Sequence, residues 1–324
     1  MNHKNISIIF ILITATCGWL MAAAAQPLVS RTVTAGAYLE RGNEWFAKGE
    51  YERAEADYDL AIVTDPSQGG AYYNRATTRY RLGKLAESRA DFDRALQCDP
   101  RKVQAYVDRG GVRYALGDFV GSISDNTKAL ELNPKLAAAW INRGTARGDI
   151  SDLAGAITDF SQALKLDPTL AKAWGGRATA RMLTHDLTGA ISDYTRELKL
   201  TPNAAVAWSE RGAARQRAGD LDGALADYEQ ALKLNPRFAD TWFNRGMLWK
   251  TKGNWRQAEA DFTQAIARNP RFADAYAQRG LTRLRQGRTD DAQQDFEQCL
   301  KVNLKLKGSL EQLITKTKWQ LAEK

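Results

Sequence analysis

Apolar residues in this chain return at intervals of four in two short runs, and the pair of runs itself returns every 34 residues. Counting Ala35 as position 1, position 4 is aromatic in every unit (Tyr38, Tyr72, Tyr106, Trp140, Trp174, Trp208, Trp242, Tyr276) and position 8 is Gly or Ala. Position 20 is small, position 24 is aromatic except at Asn126, and position 28 is Ile or Leu. A spacing of four marks one face of a helix, so each unit predicts two helices. Gly49, Gly83, Gly117, Gly219, Gly253 and Gly287, all at position 15, stand where the first helix needs a residue tolerant of the left-handed conformation. Pro66, Pro100, Pro134, Pro168, Pro202, Pro236 and Pro270 close the second helix, because the residue before proline is pushed out of the helical region. One such helix alone is marginal in water, and stacking unit on unit is what stabilises it.

Eight in-phase units run through residues 35–306 without insertion (35–68, 69–102, 103–136, 137–170, 171–204, 205–238, 239–272 and 273–306). The expected fold is all-α: sixteen helices forming one continuous α-solenoid of helical hairpins. Residues 26–34 read as a linker and 307–324 as a C-terminal capping helix. Ser309 and Gln312 make a capping-box pattern ahead of Leu310, Leu313, Ile314 and Leu321, with Lys316, Lys318 and Glu323 for the wet face. Asp118, Asp152, Asp186 and Asp220, at position 16, suit the start of a second helix.

In Ala139-Trp140-Ile141-Asn142-Arg143-Gly144, followed by Ala156, Phe160, Ala163 and Pro168, the unit resembles the tetratricopeptide repeat (TPR) family. The resemblance spans most of the chain. It implies a right-handed superhelix whose first helices line a concave groove that holds peptides or other proteins. By the same resemblance the groove is lined by positions 2, 5, 6, 9, 12 and 13. In the first three units these include Leu39, Asn43, Phe46, Tyr73, Asn74, Tyr80, Val107, Asp108 and Tyr114. The family's carboxylate-binding clamp is matched only at Asn43 and Asn74; Leu39, Gln104 and Asp108 stand where its cations belong, so that activity is not expected.

Two departures from the family pattern concern charge. Position 7, usually Leu, is Arg in all units (Arg41, Arg75, Arg109, Arg143, Arg177, Arg211, Arg245, Arg279), and position 11 is Arg in six (Arg79, Arg113, Arg147, Arg181, Arg215, Arg283). Position 23 is always Asp (Asp57, Asp91, Asp125, Asp159, Asp193, Asp227, Asp261, Asp295). A guanidinium fork matches a carboxylate, so these rows read as structural ion pairs. Most of the formal net charge of +8 then lies inside the framework, and no nucleic-acid partner is expected.

Catalysis finds little support: there is no C-x-x-C, H-E-x-x-H or P-loop, and no cofactor, metal or catalytic residue is expected. His185 replaces the turn glycine of the fifth unit, and Cys98 and Cys299 read as two packed thiols. That fifth unit is the least regular. Gly175-Gly176 takes positions 5 and 6, which predicts a weak first helix and a hinge, and Glu197 takes the usually small position 27, with Arg177 and Arg181 as the nearest cations in the pattern.

Residues 1–25 have a secretory layout, with Lys4, the apolar run Ile6 to Leu20, and Ala23 and Ala25 in A-x-A spacing; Cys17 falls within it. The expectation is an exported, periplasmic or secreted protein, the alternative being an uncleaved N-terminal membrane anchor. Export and the groove together describe a non-catalytic scaffold for protein or peptide partners. A carbohydrate-binding array stacking sugars on its aromatics is the alternative, and burial of the position 4 rings would count against it.

Overall fold

The computed structural model describes residues 33–322; the expected signal segment with Cys17, most of the linker, and Glu323 lie outside the described residues. Eight helical hairpins follow one another: α1 (Ala35–Ala47) and α2 (Tyr51–Thr64), α3 (Gly69–Arg81) and α4 (Leu85–Cys98), α5 (Val103–Ala115) and α6 (Phe119–Leu132), α7 (Ala137–Asp149) and α8 (Leu153–Leu166). The second half repeats the arrangement in α9 (Ala171–Leu183) and α10 (Leu187–Leu200), α11 (Ala205–Arg217) and α12 (Leu221–Leu234), α13 (Ala239–Thr251) and α14 (Trp255–Arg268), α15 (Ala273–Arg285) and α16 (Thr289–Val302). A short 3-10 turn leads to α17 (Lys307–Ala322). No described helix is long and apolar enough to cross a membrane.

Each helix packs on its hairpin partner and on the next hairpin, and first helices also touch first helices across the stack, as α5 touches α7 and α7 touches α9. Second helices of neighbouring repeats make no comparable contact among the described residues. The stack therefore curves with its first helices on the inside. That curvature makes a groove of the face carrying positions 2, 5, 6, 9, 12 and 13.

The core lies between the two helices of each hairpin. Tyr58, Phe92, Phe160, Tyr194, Tyr228, Phe262 and Phe296, all at position 24, are buried, and Asn126 is buried in the same slot of the third repeat. Small residues at positions 8 and 20 admit these rings. The position 4 aromatics differ from the position 24 rings: all eight are half-buried. Their edges stay near the surface because Trp140, Trp174, Trp208 and Trp242 donate their indole N–H to the carbonyl of the proline six residues earlier.

The turns follow the sequence. All six position 15 glycines have φ between 75° and 88°, while Ser151 and His185 are forced into the same region at 66° and 64°. Left-handed backbone is unfavourable for a residue with a Cβ. Ser151→Gly and His185→Gly are each expected to raise stability by about 1 kcal/mol, less the entropy that glycine adds to the unfolded chain. A shift in the thermal midpoint on substitution checks this; no gain at either site would mean the turns tolerate a side chain without strain.

Asp118, Asp152, Asp186 and Asp220 cap α6, α8, α10 and α12 by accepting from the backbone N–H three residues on. The structure corrects three expectations, two of them at the C-terminal end. Helix α17 starts at Lys307, so Ser309 lies inside it and is no cap. Leu310 and Ile314 pack on the last core cluster and Thr317 is buried a turn later, while Leu313 and Leu321, expected on the apolar face, are exposed. Cys299 is buried as a packed thiol, but Cys98, in the last turn of α4, is exposed.

Candidate functional site

Two systems occupy the interior faces of the repeats, and only one of them is available to a partner. The first is electrostatic. Every position 7 guanidinium donates through Nε and Nη2 to the Asp sixteen residues later in its own repeat, as Arg143 does to Asp159 at 2.9 and 2.8 Å. The six position 11 arginines reach the same carboxylates, from Arg79 on Asp91 at 2.7 Å to Arg113 on Asp125 at 3.1 Å.

A third partner was not read from the sequence. Nη1 of the position 7 Arg reaches back to position 25 of the preceding repeat, which is Asp59, Asp93, Thr127, Ser161, Thr195 and Thr263 in turn. Each guanidinium also lies over the position 4 ring of its own repeat, 4.7 Å from the ring centre at Arg143 and Trp140. The chemistry of both rows is thereby spent on joining helix to helix and repeat to repeat. With a guanidinium over one face and a bonded edge, the position 4 rings offer little platform for stacking a sugar.

Arg245 is the exception, donating to Asp261 but to nothing in the sixth repeat, where position 25 is Glu229. Of the junctions between consecutive repeats, that of α12 with α13 is the sparsest. The least buttressed junction thus falls between the sixth and seventh repeats. In the fifth, where the paired glycines predicted a weak helix and a hinge, α9 keeps the same 13 residues as every other first helix.

The second system is the concave face. Asn43, Phe46, Tyr73 and Asn74 gather with Tyr58 and Thr77 around a hollow of about 300 Å³. The Asn43 carbonyl oxygen accepts from the Tyr58 hydroxyl at 2.8 Å and the Asn74 amide at 2.7 Å, which orders its floor. Tyr73 donates to Asp108 at 2.6 Å, tying in the third repeat, and burial together with that carboxylate raises the phenol's pKa. Leu39 is half-buried beside this hollow and outside its lining; Tyr80 and Tyr114 lie farther along the face, both exposed, with Tyr114 donating to Asp149 at 2.6 Å.

A larger hollow, about 420 Å³, opens at the centre of the groove and was missed as a site. Its lining includes Lys172, Gly175, Gly176, Thr179 and Leu183 from α9, Glu210 and Val206 from α11, and Glu197 from α10 beneath. The signal was present in the sequence as a paired exception. Position 5 carries a side chain in the seven other repeats and position 27 is Ala in six; here Gly175 and Glu197 exchange bulk. A Cβ on Gly175 would lie 2.6 Å from a Glu197 carboxylate oxygen, so the glycine leaves the carboxylate a place that a side chain there would make it give up.

Arg177 and Arg181, the cations expected to pair with Glu197, both hold Asp193 at 2.8 Å instead. Glu197 meets no donor among the described residues, and burial pushes its pKa from the ordinary 4.5 up to about 7. An acid whose pKa rises on folding binds its proton more tightly in the folded chain, so the stability tied to that proton is lost as pH climbs from about 4.5 through 7. Glu197→Gln is therefore expected to gain about 1 to 2 kcal/mol over the parent at pH 8, discounted because the carboxylate is partly wet, and almost nothing at pH 4.5. Paired denaturation curves at the two pH values check the sign; an equal effect at both would place the carboxylate in solvent.

No curated protein matches this sequence. Tetratricopeptide repeat models match residues 69–102, 141–205, 205–238, 239–272 and 262–294, together more than half of the chain. Among solved structures, a tetratricopeptide repeat protein from Parabacteroides merdae is similar at 20% identity, with 76% of this chain and 98% of that one covered and a TM-score of 0.59. The pilF protein of Pseudomonas aeruginosa is similar at 19% identity, with coverage of 62% and 92% and a TM-score of 0.55. YrrB, described as a TPR protein with an unusual peptide-binding site, is similar at 21%, with coverage of 57% and 95% and a TM-score of 0.50. At these identities the likeness is one of fold. The repeat matches and the eight stacked hairpins together make this chain a member of the tetratricopeptide repeat family.

Proposed function

We propose that the protein is an exported, non-catalytic scaffold that holds a segment of a protein partner along the concave face of its first helices. One observation carries the reading. The arginine rows, the aspartate row and the aromatic rings at positions 4 and 24 are consumed by the framework, whereas the rings, amides and acids left over collect in two hollows on one face. Exposed aromatics there offer contact area at low entropic cost, and amides pair with an extended backbone. The peptide-binding site described for YrrB, a protein of the same fold, supports this use of it. Export rests on the layout of residues 1–25.

The test is site-specific photocross-linking of the full chain in its own cells. A photoreactive residue at Tyr80, Tyr114 or Thr179, on the concave side, should capture a partner; the same residue at the exposed second-helix positions Leu60 or Val120 should not. Capture through the second helices alone would overturn the groove reading. N-terminal sequencing of the exported fraction should begin at Gln26, and a chain that keeps residues 1–25 would point to the anchored alternative.

A further inference from the structure

The central hollow is unlike the rest of the groove in its charge. Three carboxylates line it, Asp149, Glu197 and Glu210, against one ammonium, Lys172 at the exposed rim and not within ion-pair distance of any of them. Asp149 accepts from Tyr114, while Glu197 and Glu210 have no hydrogen-bond or ion-pair partner among the described residues. The buried acids of the repeat framework, the position 23 aspartates, are by contrast all held by arginine. Packing alone does not call for a carboxylate at position 27, where six repeats use Ala and one uses Cys299. Apolar walls stand above the pair: Leu153 and Phe160 on one side, Leu183 and Val206 on the other.

We propose that this hollow seats one basic side chain, lysine or arginine, presented by the protein partner, with its methylene stem against the apolar walls and its cation between Glu197 and Glu210. The inference rests on the groove reading above and adds the partner's chemistry to it. Long cationic side chains lay their stems on apolar surface and keep the charged head for carboxylates, and charge-assisted bonds are among the strongest available. The glycines at Gly175 and Gly176 let the Glu197 carboxylate and the Phe160 ring close up to the backbone of α9, which sets a carboxylate beside an apolar ring in the hollow.

The groups facing the pair are Asp149 from α7, Lys172 and Thr179 from α9, Tyr194 from α10 and, beside Glu210, Asp240 from α13. Thr179 and Tyr194 bond each other at 3.0 Å and leave the acids to the ligand. Burial raises the pKa of Glu197 and of Glu210, Asp240 adding to the rise at Glu210, so an entering cation drives protons off the pair. Binding is accordingly tighter at pH 8 than at pH 5.5.

The probes are n-butylguanidinium and n-pentylammonium, with n-pentanol as the neutral control, titrated into the full mature chain and read by the amide resonances of Gly175 and Gly176. Both cations are expected to shift these resonances and pentanol to bind about tenfold more weakly or not at all. Glu197→Gln with Glu210→Gln should weaken the cations by about tenfold while leaving the rest of the spectrum, and so the fold, unchanged. Equal binding of pentanol, or full retention in the double variant, overturns the proposal. Random twelve-residue peptides selected on the same protein separate it from the groove reading. Groove-bound peptides without an enriched basic residue overturn this inference and leave the groove; cation binding without any selected peptide supports the seat and removes the groove.

Discussion

Asp159→Ala is expected to destabilise the protein by about 3 to 5 kcal/mol, far more than removal of any surface acid. The carboxylate is fully buried and holds two guanidiniums, Arg143 at 2.9 and 2.8 Å and Arg147 at 3.0 Å. Breaking a buried pair is costly chiefly because the remaining charge has no water to turn to, and the Arg143 side chain is only 11% exposed. Its other contacts, the Thr127 hydroxyl at 3.1 Å and the Trp140 ring, carry no opposite charge. Asp118→Ala, which removes one exposed helix cap, should lose about 1 kcal/mol and serves as the scale. Because repeats unfold partly on their own, the loss should appear first as faster amide exchange in the fourth repeat and then as a lower denaturation midpoint. A loss no greater than that of Asp118→Ala would mean that the ladder is surface decoration.

The opposite sign is expected at Asn126→Phe, which should stabilise by about 2 kcal/mol or more. Asn126 fills a fully buried slot that holds Tyr or Phe in the seven other repeats, and its carbonyl oxygen has no hydrogen-bond partner. The opposing position 8 residue is Gly110, as it is glycine opposite Tyr58, Phe160, Tyr228, Phe262 and Phe296, so the room for a ring is built in. Loss of the Asn126 amide frees Ser122, its only acceptor; in the second repeat Ser88 stands beside Phe92 and donates to the Ala76 carbonyl at 2.7 Å, the bond Ser122 would then make to Gly110. Asn126→Leu should gain less and Asn126→Ala should lose stability, since alanine leaves a cavity. A destabilised Phe variant would show that the third repeat has closed around the smaller amide.

The helices were legible because the same local signals recur eight times, and a recurring signal outweighs a weak one. The pairing of position 7 with position 23 could be read because both rows are invariant in charge. Its extension to position 25 could not: Asp, Thr, Ser and Glu share that position, and a pattern defined by any acceptor oxygen looks like noise in a charge count. How far the position 4 rings are covered could not be read, because sequence gives hydrophobicity but no account of which face a guanidinium lies over. The central hollow failed for a related reason. Gly175 and Gly176 are penalties when weighed as helix formers, whereas in three dimensions they are the space that lets Glu197 and Phe160 approach. At the C-terminus no following repeat gave a periodicity to check: the helix was placed at 307–324, but its cap was put at Ser309, inside α17.

In six repeats a bond from the position 7 arginine points toward the N-terminus, to an oxygen in the repeat already laid down. Direction matters for a chain that is made, and in the proposed setting threaded across a membrane, from that end. Each of those six hairpins finds its anchoring oxygen already made as it emerges, so this bond can close before the next repeat is synthesised. Only the first repeat lacks a predecessor, and there the Arg41 side chain is 51% exposed. The ladder is thus a one-way fastener, starting at a wet end and closing in the order of synthesis.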